Sequence, residues 1–218
     1  MASKKGRAAR ILALLSRAYP RAETALVYRD AFQLLVAAML SARTTDAQVN
    51  QVTRGLFARY PTAADLARAE TAEVERLIAR VGLFRTKARH LVDTARILTE
   101  RHGGEVPGDR TALMALPGVG YKTAGVVLGV CFGQPTCPVD THVFRLTHRL
   151  GLTAAADPVR VEEELCALVP AGERMAAHLR LIAHGRAVCT ARAPRCGRCP
   201  LASLCPYPAT RAEEVRDG

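Results

Sequence analysis

Lys122 and, eighteen residues further on, Asp140 have the side-chain types and the spacing to work as a nucleophile and a carboxylate at one site. Lys122 sits in LPGVGYKTA (116–124), where Pro117 stops the preceding helix and the glycines flanking Val119 permit a turn that a side chain would obstruct. A new helix then begins. Its first amides have no partner inside the helix, so the Leu-Pro-Gly-Val-Gly hairpin turns N–H donors outward, and the natural anion for them is a backbone phosphate. A lysine in this first turn meets the positive end of the helix dipole, which opposes its protonation and favours nucleophilic behaviour. The segment 123–132 is apolar on all sides, which predicts a buried helix that holds the lysine rigidly. Asp140, in CPVDTH (137–142), precedes the amphipathic pattern Val143, Leu146, Leu150 and can face back toward the lysine across a helix terminus. Taken singly, each feature has a plain reading: a turn, a solvated lysine, an N-cap. Together they supply a phosphate site, a nucleophile and a carboxylate.

A second constellation closes the chain. Cys189, Cys196, Cys199 and Cys205 form a C-x6-C-x2-C-x5-C pattern among prolines and arginines. So loop-rich a segment has too little apolar material to fold alone, and a metal centre would replace the missing core. Four thiolates suit either zinc or an iron–sulfur cube, and coordination chemistry does not choose between them. Cys131, Cys137 and Cys166 fall outside the pattern and read as buried structural thiols.

The elements that position these groups read as helices. The first ten residues, with Lys4, Lys5, Arg7 and Arg10, read as a loosely attached basic arm, followed from Ile11 by a short helix ended by Pro20. Asp30 caps a buried helix over 31–40. Steps of three and four link Val49, Val52 and Leu56, then Val74, Leu77, Ile78 and Val81, then Leu91, Ala95 and Leu98. Asp157-Pro158 opens a stripe of Val161, Leu165 and Leu168, and Met175, Leu179 and Ile182 form another. The last ten residues are polar and are expected to fray. No convincing period-two run occurs, so the fold class is all-α.

Composition bounds the partner. A net charge of +11 over 218 residues points to a polyanion, because neutralising phosphates releases condensed counterions. No stretch is apolar enough to span a bilayer and no signal-peptide core follows the N-terminus, so a cytoplasmic protein with no membrane partner is expected. In that compartment seven cysteines suggest a metal and not disulfides.

LLVAAMLSARTTD, VGLFRTKA, GGEVP, LPGVGYKTA, VDTHVFRL, HGRAVC and the four-cysteine loop together resemble the endonuclease III family of DNA glycosylases from about Phe32 to Tyr207. The resemblance implies a helix-hairpin-helix DNA glycosylase fold, with a six-helix barrel domain (25–135) and a discontinuous iron–sulfur cluster domain (1–24 and 136–218), and DNA in the cleft between them. It implies that Lys122 is the nucleophile and Asp140 the catalytic aspartate. Gly118, Val119 and Gly120 would grip a phosphate, and Leu83 would wedge into the duplex; without the family Leu83 reads as a core leucine. The four cysteines would hold a [4Fe-4S] cluster that sets Arg186, Arg192, Arg195 and Arg198 against DNA.

The chain departs from the family at three positions. Arg43 stands where glutamine is common, at the position that helps fill the gap left by an extruded nucleotide. Tyr121 replaces a common arginine beside the lysine, exchanging a phosphate-seeking charge for a ring, and Gly125 replaces a common asparagine. The implied function is a bifunctional DNA glycosylase and abasic-site lyase acting on oxidised pyrimidines in base excision repair, through a lysine Schiff base and β-elimination. The implied partner is double-stranded DNA with damaged bases or abasic sites, bound by a monomer, nucleoid-associated if bacterial. A glycosylase for mismatched thymine or pyrimidine dimers, and a weakly active or non-catalytic DNA-binding paralogue, are the alternatives.

Overall fold

Helix α2 (Ala31–Leu40) is buried along nearly its whole length, from Phe32 to Leu40, and the rest of its unit is wrapped on it. Asp30 starts it by accepting the Gln33 amide at 2.8 Å, and Gln33, itself buried, returns its side-chain oxygen to the Arg29 amide. The first turn of an otherwise apolar rod is thereby satisfied. The structure, a computed structural model, describes residues 3–207. All regular elements among them are helical.

Residues Ala25–Gln134 form one compact unit. After α2 come α3 (Asp46–Arg59), α4 (Ala63–Ala67), α5 (Thr71–Leu77), α6 (Phe84–His102), α7 (Arg110–Met114) and α8 (Tyr121–Cys131). Leu35, Leu40, Leu56, Ile78, Leu91, Leu98, Leu113 and Leu128 meet in one core. Helix α2 packs on α3, α6 and α8, and the short α4 and α5 pack on α6. Helix α6 begins without a side-chain cap at Leu83 and ends at Gly103, both in the left-handed region. The apolar helix expected over 123–132 is α8, with Ala124 to Leu128 buried.

The described residues on either side of that stretch form the second unit: α1 (Lys4–Ala18), α9 (Thr141–Arg149), α10 (Pro158–Leu168), α11 (Arg174–Ala187) and the cysteine loop. Here two expectations are corrected. The basic start is not a loose arm, because α1 begins at Lys4, capped by Ser3, and Ala8 is buried. The guanidinium of Arg7 donates to the carbonyls of Leu150, Gly151 and Leu204, which close α9 and the cysteine loop. The buried stripe of α11 is also not Met175, Leu179 and Ile182 but Ala177, His178, Leu181, His184 and Gly185. A Cβ on Gly185 would lie 3.0 Å from His142; the small and polar face is chosen because it lets α9 come close. Of the extra cysteines, Cys137 is buried while Cys131 and Cys166 are half-buried. The tail expected to fray, 209–218, lies outside the described residues.

Candidate functional site

The hairpin is held from below by apolar anchors and from behind by α6. Leu116 and Val119 are buried, and between them Gly118 takes φ +78. A Cβ there would stand 2.7 Å from His90 Nδ1, so glycine is required twice over, by dihedral and by space. Thr94 Oγ1 donates to the Pro117 carbonyl at 3.0 Å. The Val119 amide donates to Leu116 O at 3.1 Å and is spent inside the hairpin. Gly120 is the N-cap of α8; no side chain caps this helix, and a Cβ on Gly120 would meet nothing within 4 Å. A helix N-terminus opening on clear space is what an anion needs to approach. Lys122 is the second residue of this helix and is half-buried.

Tyr121 does not leave the hairpin without charge. The guanidinium of Arg110 lies 4.2 Å from the Tyr121 ring centroid and donates to the Tyr121 carbonyl at 3.2 Å. Sequence reading missed Arg110. Its place as first residue of α7, eleven positions before the tyrosine, carries no local signal of that stacking.

Arg43 and Leu83 come together in the structure. They are the two non-glycine residues with positive φ among those described, 56° and 58°. Their loops touch: a Cβ on Gly82 would lie 3.8 Å from Arg43 O, and the Gln48 side-chain amide donates to Arg80 O. Leu83 is 66% exposed, which removes the core reading that its residue type alone suggested. Lys87, one turn into α6, is only 8% exposed and spends its ammonium on the loop that holds Arg43. Burial lowers its pKa.

Asp140 is in the other unit and is the N-cap of α9, with Oδ1 accepting the amides of His142 and Val143 at 2.9 and 2.8 Å. The plain N-cap reading therefore holds locally, and it fixes the carboxylate's direction. His142 Nδ1 lies 3.2 Å from Arg145 Nη2, and Arg145 reaches on to the carbonyls of Gly185 and Cys189. Burial lowers the His142 pKa, against the pull of Asp140 in the other direction.

Cys189, Cys196, Cys199 and Cys205 line a single pocket with Val188, Pro194 and Tyr207, and the other three cysteines do not. Burial pushes the Cys199 and Cys205 thiols up, and the neighbouring sulfurs push the same way. Four crowded sulfurs in an apolar pocket fit a positively charged metal centre, which would offset both effects. Among the described residues no three His, Cys, Asp or Glu side chains converge as a single ion requires. Four thiolates around one apolar pocket are a donor set that fits an iron–sulfur cube. Arg149 Nη1 donates to Cys189 Sγ at 3.3 Å, and His184 Nε2 lies 3.5 Å from Cys199 Sγ.

Residues 36–171 match the family model of the HhH-GPD superfamily base excision DNA repair protein, and 189–205, bounded by the first and last of the four cysteines, match the iron–sulfur binding domain of endonuclease III. Endonuclease III of Synechocystis sp. is 50% identical over 171 residues, 78% of this chain and 78% of that protein. A non-covalent endonuclease III–DNA complex has a similar structure, with a TM-score of 0.92 and 41% identity over 98% of this chain and 100% of that one. A trapped endonuclease III–DNA covalent intermediate with an estranged adenine gives a TM-score of 0.92 and 42% identity, over 97% and 100%.

Proposed function

Since this chain belongs to the endonuclease III family of base-excision DNA glycosylases, we propose that it removes oxidised pyrimidines from duplex DNA, with Lys122 as nucleophile and Asp140 as its electrostatic and proton-transfer partner. It is a bifunctional DNA N-glycosylase and abasic-site lyase that carries a [4Fe-4S] cluster and binds DNA. The observation that carries the residue assignment is the uncapped N-terminus of α8, open in front of Gly120, with Lys122 in its first turn.

Gly118, Gly120 and the first turn of α8 receive a phosphate of the damaged strand, and Arg110, stacked on Tyr121, supplies a positive charge beside it. The Val119 amide does not contribute, being bound to Leu116 O. Extruding the base costs a few kcal/mol, least for a damaged and poorly stacked one. Leu83 and Arg43 fill the space it leaves. Neutral Lys122 forms a bond from Nζ to C1′ as the base departs with the electron pair of the glycosidic bond. Nζ, left with two protons and a positive charge, loses one of them; its lone pair then forms the C=N bond as the C1′–O4′ bond breaks and O4′ takes up a proton, giving a Schiff base that keeps the second proton on Nζ. That cation acidifies C2′; removal of its proton sends electrons to break the C3′–O bond, and the 3′ phosphate leaves. Asp140 stabilises the positive charge on the sugar and assists the proton transfers. Water hydrolyses the imine and frees Lys122.

Cys189, Cys196, Cys199 and Cys205 hold the cluster, which when bound cross-links a loop rich in arginine. The protein works as a monomer on chromosomal DNA in the cytoplasm. No helix among the described residues is long and apolar enough to cross a membrane.

Borohydride reduction tests the assignment on two duplexes, one with an abasic site and one with thymine glycol. The native chain becomes covalently linked to both, and Lys122→Ala to neither. Trapping that survives in Lys122→Ala overturns the choice of nucleophile, and trapping on the abasic duplex alone overturns the choice of lesion.

A further inference from the structure

Leu83, Lys87, His90 and Thr94 follow one another at steps of four, three and four and so share one face of α6. Each is tied to the site: Leu83 caps the helix, His90 packs on Gly118, and Thr94 holds Pro117. Lys87 is tied to it through the loop that holds Arg43. It is a buried lysine whose ammonium donates to Leu40 O at 2.8 Å, Ala42 O at 2.7 Å and Thr44 Oγ1 at 3.4 Å. Three donors meet three neutral oxygens. The first is the last carbonyl of α2, whose negative end favours a cation there. These acceptors flank Arg43 on both sides, while the Lys87 main-chain amide donates to Leu83 O at 3.0 Å. One residue thus grips both loops that carry a left-handed, non-glycine backbone.

Left-handed dihedrals at arginine and leucine are unfavourable by themselves and persist only where the surroundings over-determine them. Ser41, whose Oγ donates to Ala38 O, and the Thr44 amide, which donates to Ser41 O, tighten the first loop from within, but neither reaches Leu83. Lys87, one turn into the helix that starts at Leu83, and the contact from Gln48 of α3 to Arg80 O tie these two stretches together by hydrogen bonds. We propose that Lys87 is the positioning residue of the wedge, locking the Arg43 loop in register with Leu83 so that both side chains enter the duplex together when a base is extruded. The proposal rests on the assignment of Arg43 and Leu83 to that gap. Lys87 touches no DNA; it acts through the two loops.

The test separates extrusion from chemistry. Holoenzyme carrying Lys87→Met, which keeps the stem and removes the donors, is compared with the native chain in single turnovers at saturating enzyme. Excision of thymine glycol, which needs a paired nucleotide to be extruded and held, is expected to slow by about ten- to a hundredfold, while Schiff-base formation on a ready-made abasic site slows by less than about threefold. Leu83→Ala and Arg43→Ala should show the same split, and adding Lys87→Met to Leu83→Ala should cost less than the product of the two single effects. A 2-aminopurine opposite the lesion should lose, in Lys87→Met, the fluorescence rise that accompanies loss of its stacked partner. Gln48→Ala, which removes the exposed strut between the same loops, should reproduce the split in weaker form and carries the test if Lys87→Met does not fold. Equal slowing of both reactions, or no slowing of either, overturns the role of Lys87. If Leu83→Ala and Arg43→Ala leave excision unchanged, the wedge assignment falls and the role of Lys87 with it; if they slow it and Lys87→Met and Gln48→Ala do not, the role of Lys87 falls alone.

Discussion

Leu83 allows stability and activity to be pulled apart with two substitutions. Its φ of 58° lies in the left-handed region, where any residue with a Cβ costs about 1–2 kcal/mol and glycine almost nothing. Its side chain is 66% exposed; full burial of a leucine is worth about 1.5–3 kcal/mol, so the buried third contributes about 0.5–1 kcal/mol. Leu83→Ala gives up much of that contribution and keeps the strain. Leu83→Gly gives it up and releases the strain, so it should be close to neutral and more stable than Leu83→Ala by about 1–2 kcal/mol. In a helix interior the order is reversed by about 0.5–1 kcal/mol. For a chain of this size each kcal/mol moves the melting temperature by about 2–4 °C, so the two variants should differ by about 2–8 °C, glycine higher. Calorimetry or thermal circular dichroism measures that, and single-turnover excision of thymine glycol measures the other half. Both variants lack the wedge and should be slow together despite their difference in stability. An alanine variant that melts above the glycine one would refute the strained backbone, and an excision rate that follows stability in the two variants would refute the wedge.

Gly118→Ala should weaken binding to DNA with a non-cleavable abasic analogue by about tenfold or more, since the left-handed dihedral alone costs about 1–2 kcal/mol. His90→Ala in the same chain should restore part of the affinity by removing the 2.7 Å overlap, which a titration by fluorescence anisotropy will show. Arg7→Met should lower stability toward urea by about 2–4 kcal/mol, because it strips a charged donor from three carbonyls. Acidification should also destabilise the protein through His142. Burial depresses its pKa below the ordinary 6.5, so the unfolded chain takes up a proton before the folded one, and stability is lost from about pH 6.5 down to the depressed value, at no more than about 1.4 kcal/mol per pH unit. The urea midpoint of His142→Gln should fall less steeply between about pH 7.5 and 5.5 than that of the native chain.

What could be read from the sequence was local. Asp30 before an apolar run, Asp157-Pro158 before another and the Pro117–Gly120 turn before Lys122 are caps and turns whose partners lie within four residues, and each forms as read. The spacing of the four cysteines likewise needs no other part of the chain to be noticed. What escaped was set by distant partners or by dihedral angles. The N-terminal arm is a helix because Arg7 finds carbonyls more than 140 positions away. Leu83 is exposed because its backbone turns left-handed, which a leucine does not announce. Lys87 looks like any polar position on an amphipathic helix until its acceptors, more than forty residues back, are in place. Arg110 offered a charge that the sequence had recorded as lost at Tyr121, and Met175, Leu179 and Ile182 were a weaker face than their hydrophobicity suggested because Gly185 permits a closer one.

The split of one unit between both ends of the chain has a consequence for its birth. Residues Ala25–Gln134 leave the ribosome as one continuous stretch and can close their core as soon as it is complete. Helix α1, made before that unit, has to wait for α9, α11 and the cysteine loop before Arg7 and Leu15 have anything to hold. At about 5–20 residues per second that wait is on the order of ten seconds or more. For that time its apolar stripe is exposed to whatever the cell offers. The four cysteines emerge after all of these helices, so cluster insertion has to follow them. A message cut short even slightly before Cys205 would yield a finished hairpin and wedge on a chain whose other half cannot close.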